Sequence, residues 1–217
     1  MPAKKNIDWP EEVKPLIDRY RGRKHPLNYQ NRYQLLVMVI LSSQSTDDIV
    51  NALSGPLFTA YPSLKELSKA RLEDLLKYVG KVRGSIKKSK WILEIAQKFG
   101  SDDKIPRTMK ELTDLKGVGR KTANVIIRES GDPAEGIIVD LHVLRVAPRL
   151  GIAKGDDPAK MEKQLMAIIP QENWNDIGMA FSFLGREICR PTEPNCPKCP
   201  VNGVCLYYAK GTKKTKK

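Results

Sequence analysis

The chain has 217 residues, enough to bury a core in one large domain or two small ones without disulfide staples. Its 38 Lys and Arg against 25 Asp and Glu leave a formal charge of +13, a field that attracts a polyanion and makes nucleic acid the expected partner. The longest apolar run, Leu35 to Leu41, falls short of the ~18 residues of a membrane span, and Met1-Pro2-Ala3-Lys4-Lys5-Asn6 lacks the apolar core of a signal peptide; a cytoplasmic protein with reduced thiols and no membrane attachment is expected.

Apolar residues recur at helical spacing along almost the whole chain, and no pair of alternating strands flanks an Asn-Gly type turn, so the fold class is all-α. Val13, Leu16, Ile17 and Tyr20 form the first stripe, and Leu35 to Leu41 suits a buried helix. Ser63 with Glu66 and Thr108 with Glu111 read as capping boxes. Between them Ile92, Ile95, Ala96 and Phe99 make a stripe ending at Gly100, a C-cap. Gly131-Asp132-Pro133 stops the helix carrying Val125, Ile126 and Ile127. Asp157-Pro158 starts a helix with Met161, Leu165 and Ile168 on one side, which Pro170 ends. From Arg190 the prolines at 191, 194, 197 and 200 surround four cysteines, a stretch too irregular for helix, and a basic tail closes the chain at about 211–217 with Lys213, Lys214, Lys216 and Lys217.

Three motifs carry chemistry. In Leu115-Lys116-Gly117-Val118-Gly119-Arg120-Lys121, the two glycines make a tight hairpin whose backbone N–H groups can approach a phosphate beside a helix N-terminus. A plain helix-helix turn with incidental lysines satisfies the same spacing. In Val139-Asp140-Leu141-His142 the aspartate opens a helix that ends at Gly151, and locally an N-cap accounts for it. Cys189, Cys196, Cys199 and Cys205 are separated by six, two and five residues, a metal-binding pattern whose spacing leaves zinc and iron-sulfur both open.

Taken in this order, the hairpin, the aspartate segment and the cysteines resemble the endonuclease III family of the helix-hairpin-helix glycosylase superfamily, and the likeness extends to Leu41-Ser42-Ser43-Gln44-Ser45-Thr46-Asp47. The resemblance implies base-excision repair by a bifunctional DNA glycosylase and abasic-site lyase that removes oxidised pyrimidines and cuts the strand by β-elimination. It makes Lys121 the nucleophile that forms a Schiff base and Asp140 its partner, and it turns the four cysteines into ligands of a [4Fe-4S] cluster. It assigns DNA contacts to Gly117, Val118, Gly119 and Arg120, gives Gln44 the gap left by a flipped base, and sets His142 near the DNA. With the cysteines as a loop held by the cluster, Arg190 and Lys198 could meet phosphates. A lysine with the ordinary pKa of roughly 10.4 is a poor nucleophile at neutral pH, so Lys121 needs a nearby cation such as Arg120 or a helix start to activate it.

The expected architecture is a helical domain over 26–134 carrying the hairpin and a cluster domain made of 1–25 and 135–217, with the active-site cleft between them. The expected partner is double-stranded DNA with damaged bases or abasic sites, bound by a nucleoid-associated monomer. Aligned without gaps, Arg83-Gly84-Ser85 falls where relatives place a glycine and a bulky wedge residue, so loss of the wedge and weak base removal are expected, unless the turn is shifted and Ile86 takes over. Three other readings compete: an enzyme acting mainly as an abasic-site lyase, a mismatch glycosylase, and a non-catalytic DNA-binding module with structural zinc. Relatives that remove mispaired bases generally lack a lysine at the position of Lys121, which counts against the second.

Overall fold

The computed structural model describes residues 7–214, with side chains to residue 211, and all regular structure among the described residues is helical. Contacts divide the chain into two compact units, one of residues 1–23 and 134–217 and one of residues 24–133.

The first unit opens with α1 (Trp9–Glu12) and α2 (Lys14–Tyr20), which bury Val13, Leu16, Ile17 and Tyr20 as one stripe. The chain then builds the second unit from α3 (Arg32–Ser42), α4 (Asp47–Ala60), α5 (Leu64–Leu67), α6 (Leu72–Val79), α7 (Ser85–Phe99), α8 (Met109–Thr113) and α9 (Arg120–Glu129). It returns to the first unit with α10 (Leu141–Leu150), α11 (Pro158–Met166), α12 (Trp174–Glu187) and α13 (Leu206–Lys214).

In the second unit α3 is apolar all round, and α4, α7 and α9 pack on it. Asn31 caps its start, accepting the Gln34 N–H at 2.9 Å, and Leu35 to Leu41 are buried without exception. Each such aliphatic side chain contributes about 1.5–3 kcal/mol by leaving water. Asp132, just after α9, pairs with Arg32 and with Arg107 at 3.1 Å, which ties the unit's ends together.

In the first unit α12 holds the centre, packed against α2 and α10. Its residues from Ile177 to Gly185 are all buried. The Tyr20 hydroxyl donates to Glu187 at 2.9 Å, and the Arg23 guanidinium lies 4.1 Å over the Phe183 ring while pairing with Glu187. Ile137, Ile138 and Val139, outside any helix and all buried, lead into α10.

The helix starts hold as N-caps, with Ser63 accepting the Glu66 N–H, Thr108 the Glu111 N–H and Asp157 the Lys160 N–H, but the boxes stay half formed because Glu66 pairs with Lys69 and Glu111 accepts from the Thr108 hydroxyl; Gly100 and Gly151 end their helices at positive φ. Two expectations need correction. The helix from Pro158 stops at Met166, so Ile168 lies beyond it and Ile169 is the residue that packs inward. The region after the cysteines is also not irregular throughout, because α13 follows Cys205 and its backbone is helical to Lys214. Part of the expected basic tail is therefore helical; residues 215–217 lie outside the described residues.

Candidate active site and cysteine cavity

The hairpin between α8 and α9 is anchored by Leu115 and Val118, both buried, with the Val118 N–H closing the turn onto the Leu115 carbonyl at 3.1 Å. Its two glycines do different work. Gly117 sits at φ +85°, and a Cβ there would lie 2.5 Å from the Trp91 ring, so both backbone and packing demand glycine. Gly119 has an ordinary φ and open space where a Cβ would point. Its bare Cα leaves the start of α9 accessible, and no side chain caps that helix. Arg120 is exposed on the first turn, and Lys121 is half-buried one position further on. Val118, being buried, can meet DNA only through its backbone.

Elsewhere in the same unit Gln44 is exposed and held at φ +57°, a left-handed conformation that a side chain bearing a Cβ adopts at a cost. A buried cation fixes this turn. Lys88, from α7, donates through Nζ to the Leu41 carbonyl at 2.8 Å and to the Ser43 carbonyl, closing the C-terminus of α3 just ahead of Gln44. Burial holds the Lys88 ammonium below its ordinary pKa, and Arg83 adds to that effect. Sequence periodicity gives no sign of this bond, since Lys88 reads as one more surface lysine.

The start of α7 is the segment expected to lack a wedge. Gly84 takes a left-handed φ of +69° as the N-cap, Ser85 is the first helical residue, and the side chain that stands out is Ile86, 58% exposed between exposed Arg83, Lys87 and Lys90. The glycine turns the chain, and an exposed apolar side chain comes two residues later, as in the alternative in which the turn is shifted. Gly84→Leu would strain that φ and is not the informative variant. Ile86→Ala is: base release from a thymine glycol duplex should slow by about tenfold, ~1.4 kcal/mol of the unstacking cost, while cutting at an abasic site changes little. Equal slowing on both substrates would remove the wedge from the account.

In the first unit Asp140 does cap α10, as its local sequence suggests. Oδ1 accepts the N–H groups of His142 and Val143 at 2.8 and 2.9 Å. Oδ2 remains turned to the other side of the carboxylate. The next residue, Leu141, is 79% exposed, an apolar surface beside a charged one. His142 lies with Nδ1 3.1 Å from Arg145 Nη2. A guanidinium can only donate, so Nδ1 accepts and the ring proton sits on Nε2.

Arg145 and Arg149, on successive turns of α10, bind this helix to the cysteine segment. Arg145 donates to the carbonyls of Gly185 and Cys189 at 2.9 and 3.1 Å, and Arg149 to those of Arg190 and Pro191 at 2.7 and 2.9 Å. Arg149 Nη1 also approaches the Cys189 sulfur at 3.5 Å, with its guanidinium over the Tyr207 ring. Sequence reading gave neither arginine a role.

Cys189, Cys196, Cys199 and Cys205 are all free thiols and line one cavity, together with apolar residues of α10 and α12. Burial pushes the Cys199 thiol up to about 11 and raises Cys196 in the same direction. Among the described residues no group of three or more His, Cys, Asp or Glu side chains is placed to hold a metal ion. Four sulfurs on one largely apolar cavity are a donor set that both zinc and an iron-sulfur cluster take. Arg190 and Lys198 are exposed on this segment. No helix among the described residues is long and apolar enough to cross a membrane.

Comparison with known proteins bears on both units. Residues 37–171 match the family model of the HhH-GPD superfamily base excision DNA repair proteins. Endonuclease III of Bacillus subtilis is 38% identical over 206 residues, 91% of each chain, and that of Synechocystis sp. 36% identical over 190 residues, 86% of each. A solved trapped endonuclease III-DNA covalent intermediate superimposes with a TM-score of 0.81 at 33% identity, covering 93% of this chain and 96% of the other. A thermostable thymine-DNA glycosylase shares the fold, with a TM-score of 0.76 at 22% identity over 91% of this chain and 95% of its own.

Proposed function

The chain belongs to the endonuclease III family of the HhH-GPD superfamily, and from that premise we propose that it is a bifunctional DNA glycosylase and abasic-site lyase of base-excision repair, removing oxidised pyrimidines. The observation that carries the reading is Lys121, half-buried on the first turn of a ten-residue helix that opens from a glycine hairpin without a side-chain cap. Backbone N–H groups and Arg120 there suit a DNA phosphate, and the positive end of the helix favours the neutral, nucleophilic amine.

In this mechanism the damaged nucleotide leaves the stack and Ile86 takes up part of the lost stacking, with Gln44 entering the vacated space. The Lys121 amine attacks the anomeric carbon of the sugar, the carbon–nitrogen bond to the base breaks, and the base departs with a proton. Asp140 stabilises the positive charge that develops on the sugar. Ring opening gives a protonated Schiff base, loss of a proton from the adjacent carbon expels the 3′ phosphate, and water then releases the lysine. The proton transfers of the elimination are those a positioned carboxylate such as Asp140 assists. His142, two residues after Asp140 in the chain, lies near the DNA at the lesion.

The four cysteines hold a [4Fe-4S] cluster whose role is to order the segment that presents Arg190 and Lys198 to phosphates. The protein acts as a monomer on double-stranded DNA, in the cytoplasm with the nucleoid. A panel of duplexes carrying thymine glycol, an abasic site or a mispair, scored separately for base release and strand cutting, tests the reading. Thymine glycol release followed by cutting on its 3′ side, with an adduct trapped by borohydride, is expected. Release of mispaired adenine or thymine without cutting would overturn it.

A further inference from the structure

The side of α12 that meets Asp140 is built for close approach. A Cβ on Gly178 would lie 2.7 Å from the Ile138 carbonyl oxygen, and one on Gly185 would lie 2.7 Å from the His142 Cβ. These two glycines let α12 lie directly against the segment on either side of Asp140. Ser182 stands between them on the same helix face, one turn from each, fully buried at 0% exposure in an otherwise apolar run. A serine inside a helix ordinarily returns its hydroxyl to a carbonyl of the preceding turn. Here it donates to Asp140 Oδ2 at 2.6 Å, the length of a charge-assisted bond.

We infer that Ser182 is a positioning residue for the reaction, locking the Asp140 carboxylate in the orientation that faces the sugar. With Oδ1 fixed by two backbone N–H groups and Oδ2 by this hydroxyl, the carboxylate has no free rotation about its last bond. It therefore meets the developing charge without reorganising, which is where electrostatic stabilisation gains its strength. Asp140→Asn keeps the cap but loses the charge, so the hydroxyl has nothing left to orient there.

The inference rests on the proposed role of Asp140, and a double-mutant cycle separates the two. Single-turnover base release from a thymine glycol duplex should fall by about tenfold in Ser182→Ala, the scale of a hydrogen bond to a charged group, with duplex affinity unchanged. In the Asp140→Asn background the same substitution should change the rate by less than about twofold. If Asp140→Asn is slow and Ser182→Ala still costs its full factor there, or acts through affinity instead of rate, the serine is merely structural and the inference falls alone. If Asp140→Asn itself turns over at the wild-type rate, the role of Asp140 falls and takes the inference with it.

Discussion

Lys121→Gln protein mixed with an abasic duplex and borohydride is expected to yield no covalent adduct, and its base release from thymine glycol should drop by about a thousandfold or more. The magnitude follows from what is removed. An amide cannot form the carbon–nitrogen bond that splits the reaction into two accessible steps, and no Schiff base means no β-elimination. The substitution leaves the hairpin untouched, because Leu115 and Val118 anchor it, Gly117 packs on Trp91 and Gly119 starts α9. Duplex affinity should therefore stay within about threefold, the loss of a single cationic contact at most. An adduct in Lys121→Gln, mapped by peptide mass, would identify another amine as the nucleophile. A matching loss of affinity and rate would make Lys121 a phosphate contact.

How much of this was legible beforehand depends on sequence distance. The hairpin, the Asp140 cap and the cysteines each place their groups within a few residues, so spacing marked them as motifs, while the family resemblance supplied their roles. Helix caps were equally readable, since Asn, Ser, Thr and Asp bond to N–H groups two or three residues ahead. Ser182 lies 42 residues from Asp140, and Lys88 lies 47 and 45 residues from the carbonyls it binds. Neither bond leaves a mark on local pattern, because one residue reads as a small interruption of an apolar helix and the other as a surface charge.

The start of α7 was hard to read for a different reason. A gapless alignment sets Gly84 and Ser85 at the wedge but carries no backbone dihedral or exposure, and the structure makes Gly84 a turn and leaves Ile86 exposed. The last helix escaped notice because its sequence carries three lysines and an interior glycine in nine residues. It is held by tertiary contacts instead: Leu206 packs where a Cβ on Gly151 would be, and Tyr207 lies under Arg149.

Wild-type protein is expected to be yellow-brown with iron and sulfide, and Cys199→Ser should be colourless, with the segment from 189 to 205 open to proteolysis while residues 24–133 resist. The asymmetry comes from what orders each part. The second unit has the buried α3 at its centre, whereas only Val201 is buried between Cys189 and Cys205. Two short 3-10 turns, at Cys196–Lys198 and Asn202–Val204, and the carbonyl bonds from Arg145 and Arg149 supply the rest of that segment's order. Burial raises the Cys199 thiol to about 11, so near neutral pH its sulfur becomes a thiolate only with a metal bound to it. Serine at this position cannot give up its proton near neutral pH and makes a poor ligand for iron. With the segment loosened, exposed Arg190 and Lys198 lose their fixed spacing, and duplex affinity should fall by about tenfold for two phosphate contacts at moderate salt. Colourless wild-type protein carrying stoichiometric zinc would replace the cluster with a single ion. A Cys199→Ser variant that kept both its colour and the wild-type digestion pattern would show that the cavity does not hold the cluster.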